Sequence, residues 1–155
     1  MTTGTTASGT YYLFNKKDQE VPIVFIHGVG LTHEIWQPQL EFFNYYSTLA
    51  YDILGHGKSS LEKIQITFDD FSEQLIELMD HLNIKKIHLV GFSIGSLIAR
   101  NFATKHNKHL HTLTLLCSGL RVSNVFLLSE STHSPLINIL YCLSFFIRSN
   151  KIFDF

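Results

Sequence analysis

The sequence predicts an α/β fold in which a mostly parallel sheet is covered by helices on both faces. Two observations lead to this prediction. Short runs of β-branched and aromatic residues are nearly continuously apolar, as strands buried on both faces are. Segments with helical spacing of apolar residues alternate with them, which indicates parallel strands joined by right-handed crossovers. The runs that we predict as strands of this kind span residues 21–26, 47–51, 87–90 and 110–117.

The elements of the first half follow in order. Residues 1–9 are small and hydroxyl-rich, and we expect a flexible lead there. Residues 11–14 predict an edge strand, and the leucines and aromatics of residues 31–46 recur with helical spacing. The clearest helix spans residues 67–82, where Thr67 and Asp70 resemble a capping box ahead of one continuous apolar side.

The second half predicts a strand over residues 87–90, a helix over residues 97–103 and a strand over residues 110–117. The regularity weakens after Gly119. Pro135 is placed to open a last helix through residue 146, apolar on most of its sides. We therefore divide the chain into a flexible lead (1–9), a core of alternating strands and helices (10–119) and the start of a lid or an unpartnered apolar tail (120–155).

Composition excludes several classes of protein. Of 155 residues, 45% are hydrophobic and 16% charged, which excludes a mainly disordered chain. The net charge of −1 and the absence of a basic stripe argue against a nucleic-acid partner. No signal peptide is apparent, and the longest apolar stretch is too short for a transmembrane span. The two cysteines form no disulfide framework, so we expect a cytoplasmic protein.

The most informative motif is Gly91-x-Ser93-x-Gly95, which follows a predicted strand and precedes a predicted helix. This context is that of a nucleophile elbow, a sharp turn that projects the serine hydroxyl from the sheet edge. Glycines on both sides of the serine suit such a turn because side chains there would collide with the neighbouring backbone. Ser93 is therefore a candidate nucleophile.

Two further motifs follow the two preceding strands. One is the segment from His27 to Gly30, and the other runs from Asp52 through Gly55-His56-Gly57 to Ser59. Both belong to the carboxyl edge of the sheet, where open α/β folds bind ligands. Together with the elbow, they resemble the α/β-hydrolase superfamily, in particular its esterase, epoxide-hydrolase-like and C–C hydrolase branch. The resemblance covers about residues 11–119.

The resemblance implies a role for each matching residue. Ser93 matches the nucleophile, and the backbone N–H groups of Val29 and Ile94 match the oxyanion hole, each worth ~3 kcal/mol. A serine in place of aspartate argues against haloalkane dehalogenase or epoxide hydrolase chemistry. The remaining matches are structural residues at the site, and no cofactor or metal is implied. These structural residues are His27, Gly28, Asp52, Gly55, His56, Gly57, Gly91 and Gly95.

The acid and the histidine of a triad are not obvious. In this superfamily they follow the serine in the order acid, then histidine. Downstream of Ser93 only Glu130 followed by His133 obeys that order, and the two are three residues apart in an irregular segment. We therefore interpret the chain as the N-terminal portion of the fold, truncated after about the sixth strand.

Three functions remain open on the sequence. The first is a serine hydrolase that acts on an ester, thioester or C–C bond through an acyl-serine intermediate. The second is a catalytically inactive truncated hydrolase that serves as a binding or assembly partner, or is a remnant. The third is complementation by another chain, or a homo-oligomer, at the apolar sheet edge of residues 113–117. Apolar residues near the elbow favour a small lipophilic ester-like substrate; these are Val29, Leu31, Phe92 and Ile94.

Overall fold

The computed structural model describes residues 1–18, 21–116 and 136–140. These residues form seven strands and three helices, with short 3-10 turns at His33–Trp36 and Asn107–His109. The helices are α1 (Gln37–Phe42), α2 (Phe68–His81) and α3 (Ile94–Lys105). The strands are β1 (Thr2–Thr5), β2 (Tyr11–Asn15), β3 (Ile23–Ile26), β4 (Thr48–Tyr51), β5 (Ile87–Phe92), β6 (Leu110–Leu116) and β7 (Leu136–Leu140).

The strands form one sheet in the order β1-β2-β4-β3-β5-β6-β7. The pairs β1–β2 and β2–β4 are antiparallel, and the remaining pairs are parallel. This confirms the predicted mostly parallel sheet. The register aligns Ile26 at the end of β3 with Tyr51 of β4 and Gly91 of β5. The three loops that follow these strands therefore begin side by side.

The two faces of the sheet are covered by different helices. On one face, α2 and α3 pack over strand residues such as Val24, Ile26 and Leu89, which are completely buried. On the other face, Trp36 and Leu40 pack on Phe25 and Ala50. Helices on both faces were predicted, and the structure confirms it. None of the helices within the described residues is long and apolar enough to cross a membrane.

Helix α2 is the helix that the sequence predicts best. The Thr67 hydroxyl accepts the Asp70 N–H at 3.4 Å, while the Asp70 carboxylate accepts the Thr67 N–H at 2.8 Å, so the capping box is confirmed. The predicted apolar side is buried at Leu75, Leu78 and Met79. Phe68 is the exception: it is the first residue of the helix and is 41% exposed.

Two predictions for the first half are corrected. Residues 1–9 were expected to be a flexible lead, but Thr2–Thr5 forms β1 and pairs with Tyr11–Asn15. Small hydroxyl residues carry no periodic apolar signal, so this edge strand could not be seen in the sequence. The helix expected over residues 31–46 is shorter. A 3-10 turn capped by Thr32 leads into α1, which has a proline in its first turn and ends at Phe42.

Two predictions for the second half are also corrected. Residues 136–140 form strand β7, where the start of a helix was predicted; the remainder of that predicted helix lies outside the described residues. An apolar run that lacks a clear period fits a strand as well as a helix. Since β7 pairs in parallel with β6, the β6 strand is not the exposed sheet edge that the sequence analysis expected.

Candidate active site

The three motifs found in the sequence meet at the carboxyl edge of the central strands. His27 follows the last residue of β3, Asp52 follows the last residue of β4, and Ser93 follows the last residue of β5. Because Ile26 pairs with both Tyr51 and Gly91, these residues leave the sheet from neighbouring positions. The parallel register thus gathers residues from three separate parts of the sequence.

Ser93 occupies the sharp turn between β5 and α3. Its φ of 55° and ψ of −119° place a non-glycine residue in a backbone region that L-amino acids rarely adopt. The Ser93 N–H donates to the Leu116 carbonyl at 2.9 Å, and the Ser96 hydroxyl lies 2.6 Å from the Gly91 carbonyl oxygen. These bonds attach both sides of the turn to the sheet, so the strained conformation is held by its surroundings.

The glycines around Ser93 are required by close backbone contacts. A Cβ atom on Gly91 would overlap the Gly95 carbonyl, and one on Gly95 would overlap the Ile26 carbonyl. A Cβ atom on Gly28 would lie 3.3 Å from the Ser93 Cβ, so the loop after β3 runs directly beside the serine. The first turn of α3 is therefore pressed against the end of β3.

Two backbone N–H groups flank the serine. Val29 belongs to the loop after β3, and Ile94 is the first residue of α3. Within residues 1–18 and 21–116, neither N–H donates to a backbone or side-chain acceptor, and the Ser93 hydroxyl has no hydrogen-bond partner there either. Val29 is 66% exposed. Within those residues, no hydrogen bond would have to be broken for the two N–H groups and the hydroxyl to contact a bound molecule.

His27 is buried and both of its ring nitrogens are occupied. Its Nε2 accepts the Ile53 N–H at 3.1 Å, which leaves Nδ1 protonated to donate to the Gly28 carbonyl at 2.8 Å. Burial lowers the pKa of His27, more than the Gly28 carbonyl and the Asp52 carboxylate raise it. His27 is therefore a neutral ring that connects the loop after β3 to the loop after β4.

Asp52 is the buried acceptor at the centre of the second loop. Its Oδ1 accepts the His33 backbone N–H at 2.7 Å and lies 2.8 Å from His33 Nδ1, while Oδ2 accepts the Lys58 N–H at 2.9 Å. Burial opposes ionisation, but these N–H donors outweigh it and hold the pKa of Asp52 below its usual value. A Cβ atom on Gly57 would overlap this carboxylate.

The loop from Asp52 to Ser59 is closed by further bonds. Gly55 and Gly57 have positive φ angles of 71° and 54°, and His56 Nδ1 lies 3.0 Å from the Leu54 carbonyl oxygen. The Ser59 hydroxyl donates to the Asp52 carbonyl at 2.6 Å and accepts the Tyr11 N–H at 2.9 Å. The loop is consequently fixed to the neighbouring strand β2.

Sequence reasoning missed two residues of this network, His33 and Gln74. His33 pairs with Asp52, and the Gln74 amide, from α2, donates to the Asp52 carbonyl at 3.1 Å and accepts the Leu54 N–H at 3.1 Å. Gln74 was identifiable only as a polar residue among the apolar positions of α2. No spacing in the sequence connects His33 to Asp52.

The predicted acid and base, Glu130 and His133, lie outside the described residues. Phe92, Leu31 and Ile94 are half-buried beside the elbow. A Cβ atom on Gly28 would lie within 3.3 Å of the Phe92 and Leu31 side chains, so apolar surface adjoins the two free N–H groups.

Comparison with known proteins agrees with this architecture. Residues 21–139 match the family model described as the alpha/beta hydrolase fold. A relative in Acinetobacter baylyi, (E)-2-((N-methylformamido)methylene)succinate hydrolase, is 39% identical over 57% of this chain and 34% of its own length.

Solved structures give the same result. The naproxen esterase of Bacillus subtilis superposes with a TM-score of 0.67 at 28% identity, covering 75% of this chain and 42% of that one. The enol-lactonase of Burkholderia xenovorans superposes with a TM-score of 0.66 at 25% identity, over 69% and 42%. The chain thus spans less than half of the length of these proteins. With its sheet order, its elbow and this match over residues 21–139, the chain belongs to the alpha/beta hydrolase fold family.

Proposed function

We propose that the protein is a serine hydrolase that cleaves an ester, a thioester or a C–C bond through an acyl-Ser93 intermediate. The observation that carries this proposal is the position of the Ser93 hydroxyl. It stands on a strained elbow, without a partner among residues 1–18 and 21–116, between two N–H groups that are also free there. A serine nucleophile together with two N–H donors that can serve as an oxyanion hole would supply the reactive half of an acyl-transfer centre.

The proposed reaction proceeds in two steps. Ser93 Oγ attacks the carbonyl carbon and gives its proton to a base, while the N–H groups of Val29 and Ile94 stabilise the negative oxygen. The leaving group departs with a proton, and water then hydrolyses the acyl-serine by the same route in reverse. His27 and Asp52 hold the two loops in place and do not take part in proton transfer, since both His27 nitrogens are already bonded.

The base in this proposal is a histidine outside the described residues. Glu130 and His133 are the only acid and histidine of this sequence that follow Ser93 in the order acid, then histidine, so we assign these roles to them as a hypothesis. A second polypeptide that supplies an acid and a histidine is the alternative. A His133→Gln variant distinguishes the two, because it removes Ser93 reactivity only where His133 is the base.

The relatives and the local surface support the proposed substrate class. The similar proteins include an esterase and an enol-lactonase by name. Around Ser93 the side chains of Leu31, Phe92 and Ile94 are apolar and half-buried, so we propose an uncharged, lipophilic acyl group. Serine at the elbow favours acyl transfer over the opening of an epoxide, which needs a carboxylate nucleophile. The cytoplasmic location stays a prediction.

Labelling with a fluorophosphonate tests the proposal directly. We expect one adduct per chain in intact-mass measurements, lost in Ser93→Ala and retained in Ser60→Ala. Ser60 is the matched control because it is an exposed serine outside the elbow. An adduct that maps to a different residue, or that persists in Ser93→Ala, would contradict the proposal.

The second candidate is a catalytically inactive member of the family that acts as a binding or assembly partner or is a remnant. It is favoured by one observation: within residues 1–18 and 21–116, no histidine contacts the Ser93 hydroxyl. A serine without its base loses several orders of magnitude in rate. A folded chain that forms no adduct would support this candidate over the first.

A further inference from the structure

The edge of the sheet opposite to Ser93 carries a cleft of about 500 Å³ with a charged rim. Four lysines line it, and we call it the lysine cleft: Lys16, Lys17, Lys85 and Lys86. Its volume lies within the range of small-molecule sites. Neither the sequence motifs nor the proposed reaction uses this part of the molecule.

The topology explains why these lysines lie together. Strand β2 runs antiparallel to β4 and ends at Asn15, opposite to Thr48, where β4 begins. Lys16 and Lys17 therefore leave the sheet at the edge where the parallel strands start. Lys85 and Lys86 directly precede Ile87, the first residue of β5, and reach the same edge. Residues about 70 positions apart in the sequence thus share one cleft.

Among the described residues, no carboxylate pairs with the lysines of the cleft. All four lysines are exposed, and in the part of the chain that the structure describes none of them forms an ion pair. Lysines elsewhere do so: Lys63 pairs with Asp70, and Lys105 pairs with Asp69. The net charge of the whole chain is −1, so the positive cleft is a local concentration rather than a general excess. Four cations around one cleft repel one another, and a bound anion relieves that repulsion.

The floor of the cleft has a different chemistry. Phe14, Leu82 and Ile84 line it between the lysines, and Leu82 and Ile84 are only partly buried. An apolar floor inside a cationic rim complements a molecule that has an apolar chain and an anionic head. Nucleic acid fits less well, because single strands bind on exposed aromatic side chains, whereas Phe14 is 6% exposed.

We propose that the lysine cleft binds a small anionic amphiphile, an acyl chain with a carboxylate or phosphate head. The head lies among the ammonium groups, and the chain covers Leu82 and Ile84. The site is independent of Ser93, so it stands or falls separately from the proposed hydrolase activity.

Titration of the ¹⁵N-labelled chain with decanoate, below its micelle concentration, tests the proposal by NMR. We expect saturable shifts of the amide signals of Val21, Ile84 and Lys85. Lys86→Glu should weaken binding roughly fivefold to tenfold, whereas Lys108→Glu should leave it unchanged. Lys108 is the matched control because it is exposed at the same sheet edge but does not line the cleft. Each methylene added to the chain should tighten binding about fourfold at most.

Other outcomes overturn the proposal. Shifts confined to Val29 and Ile94 would place the ligand at the elbow. Equal weakening by Lys86→Glu and Lys108→Glu would indicate attraction by general charge. Octanoate and decanoate that bind equally well would show that the apolar floor is not used. If the protein sediments with phosphatidylglycerol vesicles but does not bind decanoate, the cleft is part of a membrane-binding surface and not a small-molecule site.

Discussion

The two edges of the sheet are built in opposite ways. At the carboxyl edge, His27 and Asp52 are completely buried, their polar atoms are bonded, and Ser93 is held at a positive φ. At the amino edge, four lysines stand exposed and without ion-pair partners among the described residues. The first edge has fixed geometry, which bond-making chemistry requires. The second has flexible charge, which attracts an anion without fixing its position.

The carboxyl edge is held in place by the rest of the fold. A strained backbone conformation costs of order 1–3 kcal/mol and persists only where its surroundings enforce it. Here the enforcing contacts are backbone contacts: the first turn of α3 against the Ile26 carbonyl, and Ser93 N–H to Leu116. Perturbing this edge should therefore destabilise the whole domain, whereas perturbing the amino edge should affect ligand binding alone.

Gly95→Ala should have the largest effect. The added methyl group would overlap the Ile26 carbonyl, so α3 must move away from β3. We expect a loss of about 3 kcal/mol in the free energy of unfolding, measured by urea denaturation. Gly30→Ala is the matched control. Gly30 has open space around it, in contrast to Gly95, and a positive φ of 71°, so only a backbone cost of about 1 kcal/mol is expected there. Equal losses would show that α3 is not tightly packed against β3.

Asp52→Asn should have the next largest effect. In the variant, an NH₂ group replaces one of the two carboxylate oxygens that accept hydrogen bonds from His33 and Lys58. Because an NH₂ group cannot accept, at least one of these three buried hydrogen bonds is lost. We expect a loss of about 2 kcal/mol in the free energy of unfolding. Asp69→Asn, on the exposed side of α2, should cost much less, because solvent screens the ion pair of that carboxylate with Lys105. If the two variants were equally stable, Asp52 would not hold its loop.

A change of pH should change the free energy of unfolding least. The pKa of His27 in the folded protein is lowered from 6.5 and that of Asp52 from 3.8, so the unfolded chain binds more protons in both ranges. Stability should fall as the pH drops below 6.5 and fall again below 3.8. The pKa values of His88, Asp69 and Asp70 are also lowered, so they contribute to the same two steps. The urea midpoint at successive pH values measures both steps, and Asp52→Asn should reduce the lower one without removing it. A midpoint that rises on acidification would contradict these assignments.

Whether the sequence predicts a structural feature depends on how far apart in the sequence the interacting residues lie. Gly91-x-Ser93-x-Gly95 and the Thr67–Asp70 capping box are local, so the spacing alone predicted the turn at Ser93 and the start of α2. The bond between His33 and Asp52 depends on where β3 and β4 end in the sheet, and no short pattern encodes that register. Strands β1 and β7 exist through pairing with a neighbour, which neither hydroxyl residues nor a continuous apolar run reveals.

The backbone at Ser93 has a consequence for the evolution and the engineering of this fold. At φ 55° and ψ −119°, glycine is the residue that the chain accommodates with least strain. A search for sequences of greater stability would accordingly favour glycine at position 93, and a protein optimised in this way would lose its hydroxyl. Stability and reactivity therefore make opposing demands on the same residue, and consensus or computational stabilisation of this family should hold this position fixed.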